Sequence, residues 1–320
     1  MFTPFPDSQL GTDHVVLTYC RYNANCILAV VGVTDDSTNV TVVFPSNFKG
    51  VLELDGKTYV AGEEFHLTLF NLQTFQLLSK ANLSGVIVRS NNKVGVFVGA
   101  DRTSVSNTYG RNHLGESLPP VSYWGKQYIL VRRGSDAVQI VSSTDNNHVN
   151  ITTCDKTLKY VINPIHDIIE FQMECPFCHI SSSNRILVAQ FIKSTDNNEN
   201  PSLYFPTPVI FYSKSYAVTP PPKSYTPCQV GLVARMDDLV DIAAQLTGES
   251  VSWINVSSTG FAVTTVVLQS EKTLIVRSKN EPFGGHLSCE LRKYMIASTR
   301  LASNSSIVEV DRLLYISFKV

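Results

Sequence analysis

Residues 125–132 read Gly-Lys-Gln-Tyr-Ile-Leu-Val-Arg, and a similar stretch opens at Gly11 and again at Ser213. The copies read Gly-Thr-Asp-His-Val-Val-Leu-Thr at 11–18 and Ser-Lys-Ser-Tyr-Ala-Val-Thr at 213–219. Each is a short run rich in apolar residues, which is typical of a strand. Three widely spaced copies of one strand indicate three related units that open in the same way.

Other segments recur in the same order around these copies. Proline-containing runs at 118–123 and 205–210 precede the second and third copies, and Val-Ile-Val-Arg-Ser at 86–90 returns as Leu-Ile-Val-Arg-Ser at 274–278. The repeat of about 90 to 110 residues is long enough for a whole β-sandwich. We therefore predict an all-β fold of three tandem related β-sandwich units packed together, at residues 1–106, 107–200 and 201–302, with residues 303–320 as a C-terminal strand or tail.

Most other apolar segments also favour strands, because they alternate with period two or are short β-branched runs. Turn dipeptides such as Asp55-Gly56 and Asn91-Asn92 separate them. Residues 239–246 read Leu-Val-Asp-Ile-Ala-Ala-Gln-Leu and suit either a helix or a strand. We expect a strand there.

The composition limits the kind of partner. Lys plus Arg number 26 against 27 Asp plus Glu, so the formal net charge is −1. Such a chain lacks the positive field that attracts nucleic acid or an anionic membrane surface. No window supplies the roughly 18 to 20 consecutive apolar residues of a membrane-spanning helix. We expect neither a nucleic-acid partner nor membrane insertion.

Seven cysteines leave at least one thiol unpaired within the chain. Cys20 and Cys26 flank a polar stretch between two apolar runs, and a hairpin would bring them to bridging distance. We predict disulfides Cys20–Cys26 and Cys228–Cys289, and a third from Cys154 to either Cys175 or Cys178.

Secretion is compatible with five glycosylation candidates in Asn-x-Ser/Thr sequons, namely Asn39, Asn82, Asn150, Asn255 and Asn304. The N-terminus has neither the basic segment nor the apolar run of a secretory signal. We expect an extracellular protein whose signal segment is absent because the chain is truncated or processed.

The sharpest local motif is Cys-Pro-Phe-Cys-His at 175–179. Its spacing satisfies the pattern of covalent haem attachment and resembles a thioredoxin-type redox pair. A redox pair needs a following helix, but residues 180–184 suit a strand. Zinc could take Cys154 and His166 as further ligands, yet no second Cys-x-x-Cys supports it. We interpret the motif as structural sulfur and expect no cofactor or metal.

Catalytic motifs have little support. Asp35-Asp36 and Asp237-Asp238 lie at equivalent turns of the repeat, where aspartate bonds its own backbone. The sequence contains no Gly-x-Ser-x-Gly, P-loop or His-Glu-x-x-His motif. We therefore predict no catalytic residues. Aromatic side chains at the junctions are the better candidates for ligand contact, and we select Tyr123 and Trp124.

Four stretches resemble the N-terminal domain family of IgGFc-binding proteins. They are Val-Gly-Val-Phe-Val-Gly at 94–99, His-Leu-Gly-Glu-Ser-Leu-Pro-Pro-Val-Ser-Tyr-Trp-Gly-Lys at 113–126, Ile-Val-Ser-Ser-Thr-Asp-Asn-Asn-His-Val-Asn-Ile at 140–151, and Ser-Lys-Asn-Glu-Pro-Phe-Gly at 278–284. The resemblance covers residues 7 to 300. It implies a secreted protein of mucus or body fluid, often carrying this domain ahead of von Willebrand type D modules, without catalytic activity.

Two functional hypotheses follow. The first is a non-catalytic extracellular binding or structural module in adhesion, mucus or innate defence, with a protein or glycoprotein ligand such as a mucin. The alternative is a secreted carbohydrate-active β-sandwich enzyme, which would need two acids in a cleft. The resemblance transfers no contact residues for immunoglobulin Fc.

Overall fold

The structure is a computed structural model of the chain. It describes residues 5–105, 111–132, 136–163, 167–192, 201–218, 228–246, 251–268, 274–291, 295–300 and 302–303. The predicted all-β class is confirmed, and strands dominate the described residues. We refer to residues 11–117, 125–204 and 213–303 as the first, second and third unit.

The first unit is organised by one long strand. Its strands are β1 (Gly11–Val15), β2 (Cys26–Gly32), β3 (Thr38–Val43), β4 (Leu52–Leu54), β5 (Lys57–Tyr59), β6 (Glu64–Leu69), β7 (Thr74–Ser79), β8 (Ile87–Thr103) and β9 (Asn112–Ser117). The first half of β8 pairs with β1 and β3, and the second half pairs with β2 and β9. Because β8 belongs to both layers, the sheet curls into a sandwich.

The second unit repeats this topology. It contains β10 (Gly125–Val131), β11 (Asp136–Ser142), β12 (Asn147–Thr152), β13 (Thr157–Ile162), β14 (Ile168–Met173), β15 (Phe177–Ile192) and β16 (Ser202–Tyr204). The sheet order β13-β12-β15-β11-β14 matches β6-β3-β8-β2-β7 strand for strand. Both opening strands also shift register immediately after their first glycine, Gly11 or Gly125.

The third unit keeps part of the pattern. It contains β17 (Ser215–Val218), β18 (Cys228–Arg235), α1 (Leu239–Leu246), β19 (Ile254–Val256), β20 (Phe261–Leu268), β21 (Leu274–Arg277), β22 (Gly284–Leu291), β23 (Met295–Arg300) and β24 (Ala302–Ser303). The equivalent of β8 is split into β21 and β22, and Ser213 bridges Phe283 at the break. The split separates this unit into two sheets.

The prediction of a strand at 239–246 is wrong, because this segment forms the helix α1. It follows a 3-10 turn at Met236–Asp238. Leu239 and Ile242 face the core at helical spacing, whereas Val240 is 82% exposed. Asp238 holds the turn by accepting bonds from the backbone N–H groups of Asn280 and Glu281. An apolar face with period three to four suits a helix lying on a sheet.

The domain boundaries near residues 106 and 200 stay predictions, and so does the count of three sandwiches. Hydrogen-bonded sheets run past both positions, because β9 pairs with β8 and β16 pairs with β15. The predicted strand in the tail, Asn304 and His166 lie outside the described residues.

Apolar clusters join neighbouring units. One cluster contains the core of the first unit together with Leu187 and Phe191 of the second. Another contains Ile129 and Val131 of the second unit with Val263 of the third. The units therefore pack through apolar contact, since buried apolar area is the main favourable term in association.

Candidate functional site

Two proline turns connect the units in the same geometry. Pro120 and Pro208 have extended backbones and each precede a 3-10 turn, Val121–Tyr123 or Val209–Phe211. In both turns the third residue donates its N–H to the proline carbonyl at 2.9 Å. The fixed φ of proline pre-organises each turn. The side chains at the third position therefore project from a rigid backbone.

Those two side chains meet across the junctions. The rings of Tyr123 and Phe211 lie 5.4 Å apart, within the range of aromatic pairs. Tyr123 is half-buried and donates its hydroxyl to the carbonyl of Ser8 at 3.4 Å, whereas Phe211 is 39% and Ile210 76% exposed. We name Tyr123, Ile210 and Phe211 the junction patch. It offers rigid apolar surface with a polar rim, as binding surfaces often do.

Trp124 is not a surface residue, and its selection as a ligand contact is wrong. It is 1% exposed, and its indole N–H donates to the Pro119 carbonyl at 3.1 Å. Tyr123 is the last residue of the 3-10 turn and is half-buried. Trp124 follows with an extended backbone, and its side chain joins the apolar cluster of the first unit. A buried tryptophan with a satisfied N–H serves packing.

The first predicted disulfide joins Cys20 and Cys26 in the structure, with Cα atoms 5.4 Å apart. It closes the loop between β1 and β2. Cys228 is disulfide-bonded, and its backbone lies opposite that of Cys289 in the register of β18 and β22. The side chain of Cys289 lies outside what the structure describes, so the Cys228–Cys289 bond stays a prediction.

The three cysteines of the second unit are free thiols, so the bond expected from Cys154 is absent from the structure. Cys154 lies on the exposed turn after β12, and its N–H donates to Cys175 Sγ at 3.2 Å. Partial desolvation and contact with the Cys175 thiol raise the pKa of Cys154 to about 11. Cys178 points into the core of the second unit, where burial raises its pKa. Cys175 is therefore the nearer partner.

The strand β15 begins at Phe177, inside the Cys-x-x-Cys-His motif. The motif is therefore followed by a strand and not by the N-terminus of a helix. His179 lies within hydrogen-bond distance of Gln127, at 3.0 Å. Burial lowers the pKa of His179. Among the described residues, no group of three or more His, Cys, Asp or Glu is placed to hold a metal.

The four sequon asparagines in the described ranges, Asn39, Asn82, Asn150 and Asn255, are all exposed. Asn39 accepts a bond from Thr68 and Asn82 accepts one from Thr18. The carboxamide nitrogen that would carry a glycan is not used in either bond. These residues stay glycosylation candidates.

Three acids are buried among the described residues, and they lie in different units rather than forming a pair. Glu116 in the first unit accepts a bond from the Ser117 N–H at 2.9 Å. Asp136 accepts a bond from Gln190 at 2.6 Å in the second unit. Asp238 lies in the third unit, where burial would raise its pKa but bonds from the N–H groups of Glu281 and Asn280 hold the pKa below its usual value. An ionised carboxylate accepting backbone bonds is typical of a turn anchor.

A cleft of about 20 Å³ opens beside β2, β8 and β9, and its lining includes Ile27, Phe97, His113 and Glu116. Sites for drug-sized ligands enclose roughly 300 Å³ or more. This cleft has room for one or two waters. In the described part of the chain, no helix has the length and apolar character needed to cross a membrane.

Ile210 was not predicted as a surface residue from the sequence. The signal was the alignment of Pro120 with Pro208, which places Ile210 opposite the polar residue Ser122. His14 was also missed, and it is 1% exposed at the position that Tyr128 occupies in the second unit. The three copies of the opening strand contain the signal for it, because His14 aligns with Tyr128 and Tyr216.

Comparisons with known proteins agree with the sequence resemblance. The family model described as IgGFc binding protein matches residues 2–287. The human protein named IgGFc-binding protein is 28% identical over an alignment of 282 residues, which covers 82% of this chain. The alignment covers 5% of the human protein, so the chain spans a small part of that relative. No solved structure matches the chain.

Proposed function

The chain belongs to the IgGFc-binding protein family, and on that premise we propose that it is a non-catalytic extracellular module that binds a protein or glycoprotein ligand. The roles we propose are adhesion, mucus structure or innate defence, with mucin-like glycoproteins as the leading ligand class. The family is a binding rather than a catalytic one. Extracellular exposure is supported by the Cys20–Cys26 disulfide and the exposed sequons.

The junction patch is the observation that carries this proposal. Tyr123 and Phe211 bring together two proline turns that are each fixed by the same backbone bond. Rigid aromatic side chains lose little conformational entropy when they bind, so they give affinity at low cost. The adjacent Ile210 extends the apolar area. A glycoprotein with repeated epitopes would turn one weak contact into avidity.

The alternative of a carbohydrate-active enzyme has less support. Such enzymes need two carboxyl groups facing one bond across a cleft. The buried acids among the described residues, Glu116, Asp136 and Asp238, instead lie in three different units, and each accepts a structural hydrogen bond. We therefore place the function in the junction patch.

Retention on immobilised mucin and on immunoglobulin Fc tests the proposal. The variant Ile210→Ser/Phe211→Ser should bind at least tenfold more weakly, because loss of about 1.4 kcal/mol is tenfold in affinity. Val240→Ser is the matched control, since Val240 is 82% exposed on α1 and lies outside the patch. Circular dichroism should show the same fold in all three proteins.

The outcomes separate the hypotheses. If the patch variant loses binding to mucin and the control keeps it, a mucin-like ligand is supported. If the patch variant loses binding to Fc and the control keeps it, Fc is the ligand. Equal binding by the patch variant and the control would refute the junction patch. Hydrolysis of glycans that disappears on substitution of an acidic residue would overturn the non-catalytic proposal.

A further inference from the structure

The loop between β1 and β2 is a feature of the first unit that the second unit lacks. It runs through residues 16–25 and is closed by the Cys20–Cys26 disulfide. In the second unit, residues 132–135 connect the equivalent strands β10 and β11 and contain no cysteine. The shared fold therefore does not require this loop. We name residues 21–25 the disulfide loop.

The tip of the disulfide loop holds two residues in the left-handed region, because Tyr22 has a φ of 56° and Asn23 a φ of 65°. The Ala24 N–H donates to the Arg21 carbonyl at 3.2 Å, as in a type I′ turn. Asparagine adopts positive φ readily, but a bulky tyrosine does so at a cost. Tyr22 is nonetheless 45% exposed, so packing within the chain accounts for only part of its placement. Strain at such an exposed position is typical of a functional site.

Three hydrogen bonds to β8 fix the backbone of the disulfide loop. The Arg21 N–H donates to Thr103 Oγ1 at 2.9 Å, and the Asn25 N–H donates to Asp101 Oδ1 at 2.7 Å. The Asp101 N–H donates in return to the Asn25 carbonyl at 3.0 Å. A loop held in this way loses little conformational entropy when its tip binds a ligand.

Two exposed cations lie at the tip of the loop. The Lys80 ammonium donates to the Asn23 carbonyl at 2.5 Å, and the Arg111 guanidinium carbon lies 5.4 Å from the centre of the Tyr22 ring. Lys80 follows β7 and Arg111 precedes β9, so three separate segments converge here. Neither cation forms an ion pair with a described carboxylate.

The carboxylates that contact the loop leave the tip positively charged. Glu170 pairs with Arg21 at 2.8 Å, away from the two cations of the tip. Burial would raise the pKa of Asp101, but its bonds with Asn25 and the charge of Lys80 hold the pKa below its usual value. The ionised Asp101 offsets one of the two cations, and the other is left for an anion from outside the chain.

The groups at the tip fit an acidic sugar. A guanidinium offers a planar fork of N–H donors that matches a carboxylate or sulfate, and an ammonium adds a point charge. A tyrosine ring supplies an apolar face with a polar hydroxyl. An acidic sugar presents the complementary set, because its anionic group is attached to a ring with an apolar face. The formal net charge of −1 disfavours nucleic acid, which needs a more extended positive field.

We propose that the tip of the disulfide loop, together with Lys80 and Arg111, binds the anionic group of a sulfated or sialylated glycan. Tyr22 packs against the sugar ring, while the two cations contact the sulfate or carboxylate. Because these charges are exposed, rising salt weakens the contact. The proposal takes its ligand class from the proposed glycoprotein partner, but it uses no residue of the junction patch.

Binding of the full chain to surfaces coated with sulfated lactose, sialyllactose or neutral lactose tests this. The unmodified chain should bind at least one acidic sugar about tenfold more tightly than lactose, and the two acidic surfaces distinguish sulfate from carboxylate. Lys80→Ala/Arg111→Ala should lose that preference. Lys57→Ala/Arg235→Ala is the matched control, because it removes one lysine and one arginine that also lie over aromatic rings. The control changes the net charge equally and should bind like the unmodified chain.

Two further variants separate the possible outcomes. Arg111→Lys keeps the charge but loses the planar fork, so it should bind more weakly than the unmodified chain with an unchanged thermal unfolding curve. Ile210→Ser/Phe211→Ser should keep the preference for the acidic sugar even where it loses mucin. Equal binding to acidic and neutral sugars, or equal binding by Lys80→Ala/Arg111→Ala and its control, would refute the loop site and leave the junction patch standing. Equally tight binding to single-stranded DNA or a phosphopeptide would overturn the assignment to a glycan.

Discussion

The first and second units share one strand order but fill the same buried position with different chemistry. Tyr128 in β10 and His14 in β1 each lie three residues after the glycine that opens the strand. The Tyr128 hydroxyl donates to the Ile186 carbonyl at 2.7 Å and accepts from Gly125 N–H at 3.1 Å. Neither ring nitrogen of His14 has a hydrogen-bond partner among the described residues. The repeat preserves the register and tolerates a change in the buried side chain.

The third unit agrees with the second. Tyr216 accepts a bond from Ser213 N–H at 2.9 Å, which is the bond that Tyr128 accepts from Gly125. Burial of His14 lowers its pKa to about 3, so the imidazole is neutral near neutral pH. The first unit therefore carries an unsatisfied polar group where the other two carry a bonded tyrosine, and such a group costs free energy.

The two units also differ in sulfur. The first unit contains the Cys20–Cys26 disulfide, whereas Cys154, Cys175 and Cys178 of the second unit are thiols. Cys20 and Cys26 flank one short loop, while Cys154 and Cys175 come from separate turns. A bond between Cys154 and Cys175 would close a longer loop and restrict the unfolded chain more strongly.

The largest expected effect is oxidation of the second unit. Oxidised glutathione should convert Cys154 and Cys175 to a disulfide, with two protons and two electrons passing to the glutathione disulfide, which becomes two thiols. The bond should raise the free energy of unfolding by about 3 kcal/mol. Urea unfolding before and after oxidation measures this, and peptide mapping identifies the bonded pair.

The Cys154→Ala/Cys175→Ala variant is the control for oxidation and should show no gain. Cys178 should resist alkylation in the folded protein, because its side chain is buried. A mapped bond between Cys154 and Cys178 would contradict the contact geometry.

The second effect is acid sensitivity of the first unit. The pKa of His14 is about 3 when folded and 6.5 when unfolded, so the unfolded state binds more protons between these values. The contribution of neutral His14 to the free energy of unfolding is complete above pH 6.5 and is lost as the pH is lowered toward 3. At pH 4.5, two units below the unfolded pKa, the free energy of unfolding should be lower by about 2 to 3 kcal/mol. Urea unfolding at pH 7 and pH 4.5 measures it.

His14→Leu should remove this part of the pH dependence, because leucine does not titrate. Val240→Leu, an apolar exchange at an exposed position of α1, is the control and should lose as much stability between pH 7 and pH 4.5 as the unmodified chain. If His14→Leu and the unmodified chain lose equal stability at pH 4.5, the assignment to His14 is wrong.

The smallest expected effect comes from removing the hydrogen bonds of the buried Tyr128 hydroxyl. Tyr128→Phe should cost about 1 to 2 kcal/mol at pH 7, because the Gly125 N–H and the Ile186 carbonyl lose their shared partner. His14→Tyr should stabilise the first unit by about 1 kcal/mol if its hydroxyl reaches the equivalent groups. Thermal unfolding of both variants compares the two positions. Equal stability of Tyr128→Phe and the unmodified chain would show that the hydroxyl is dispensable.

The sequence by itself determined the strand content, the three copies of the opening strand and the family. Period-two alternation is a local property, so copies at 11–18 and 125–132 could be aligned without coordinates. The Cys20–Cys26 disulfide was also predictable, because its two cysteines are separated by a short hairpin-forming stretch.

Only the tertiary structure decided which face of each strand is covered. Tyr123 and Trp124 are neighbours of similar chemistry, yet packing between units buries Trp124 and leaves Tyr123 at the surface. Residues 239–246 form a helix that packs against β21, a strand that pairs with β17 on one edge and with no other described strand. Such outcomes depend on contacts between distant segments, and tertiary packing overrides local propensity when the two compete.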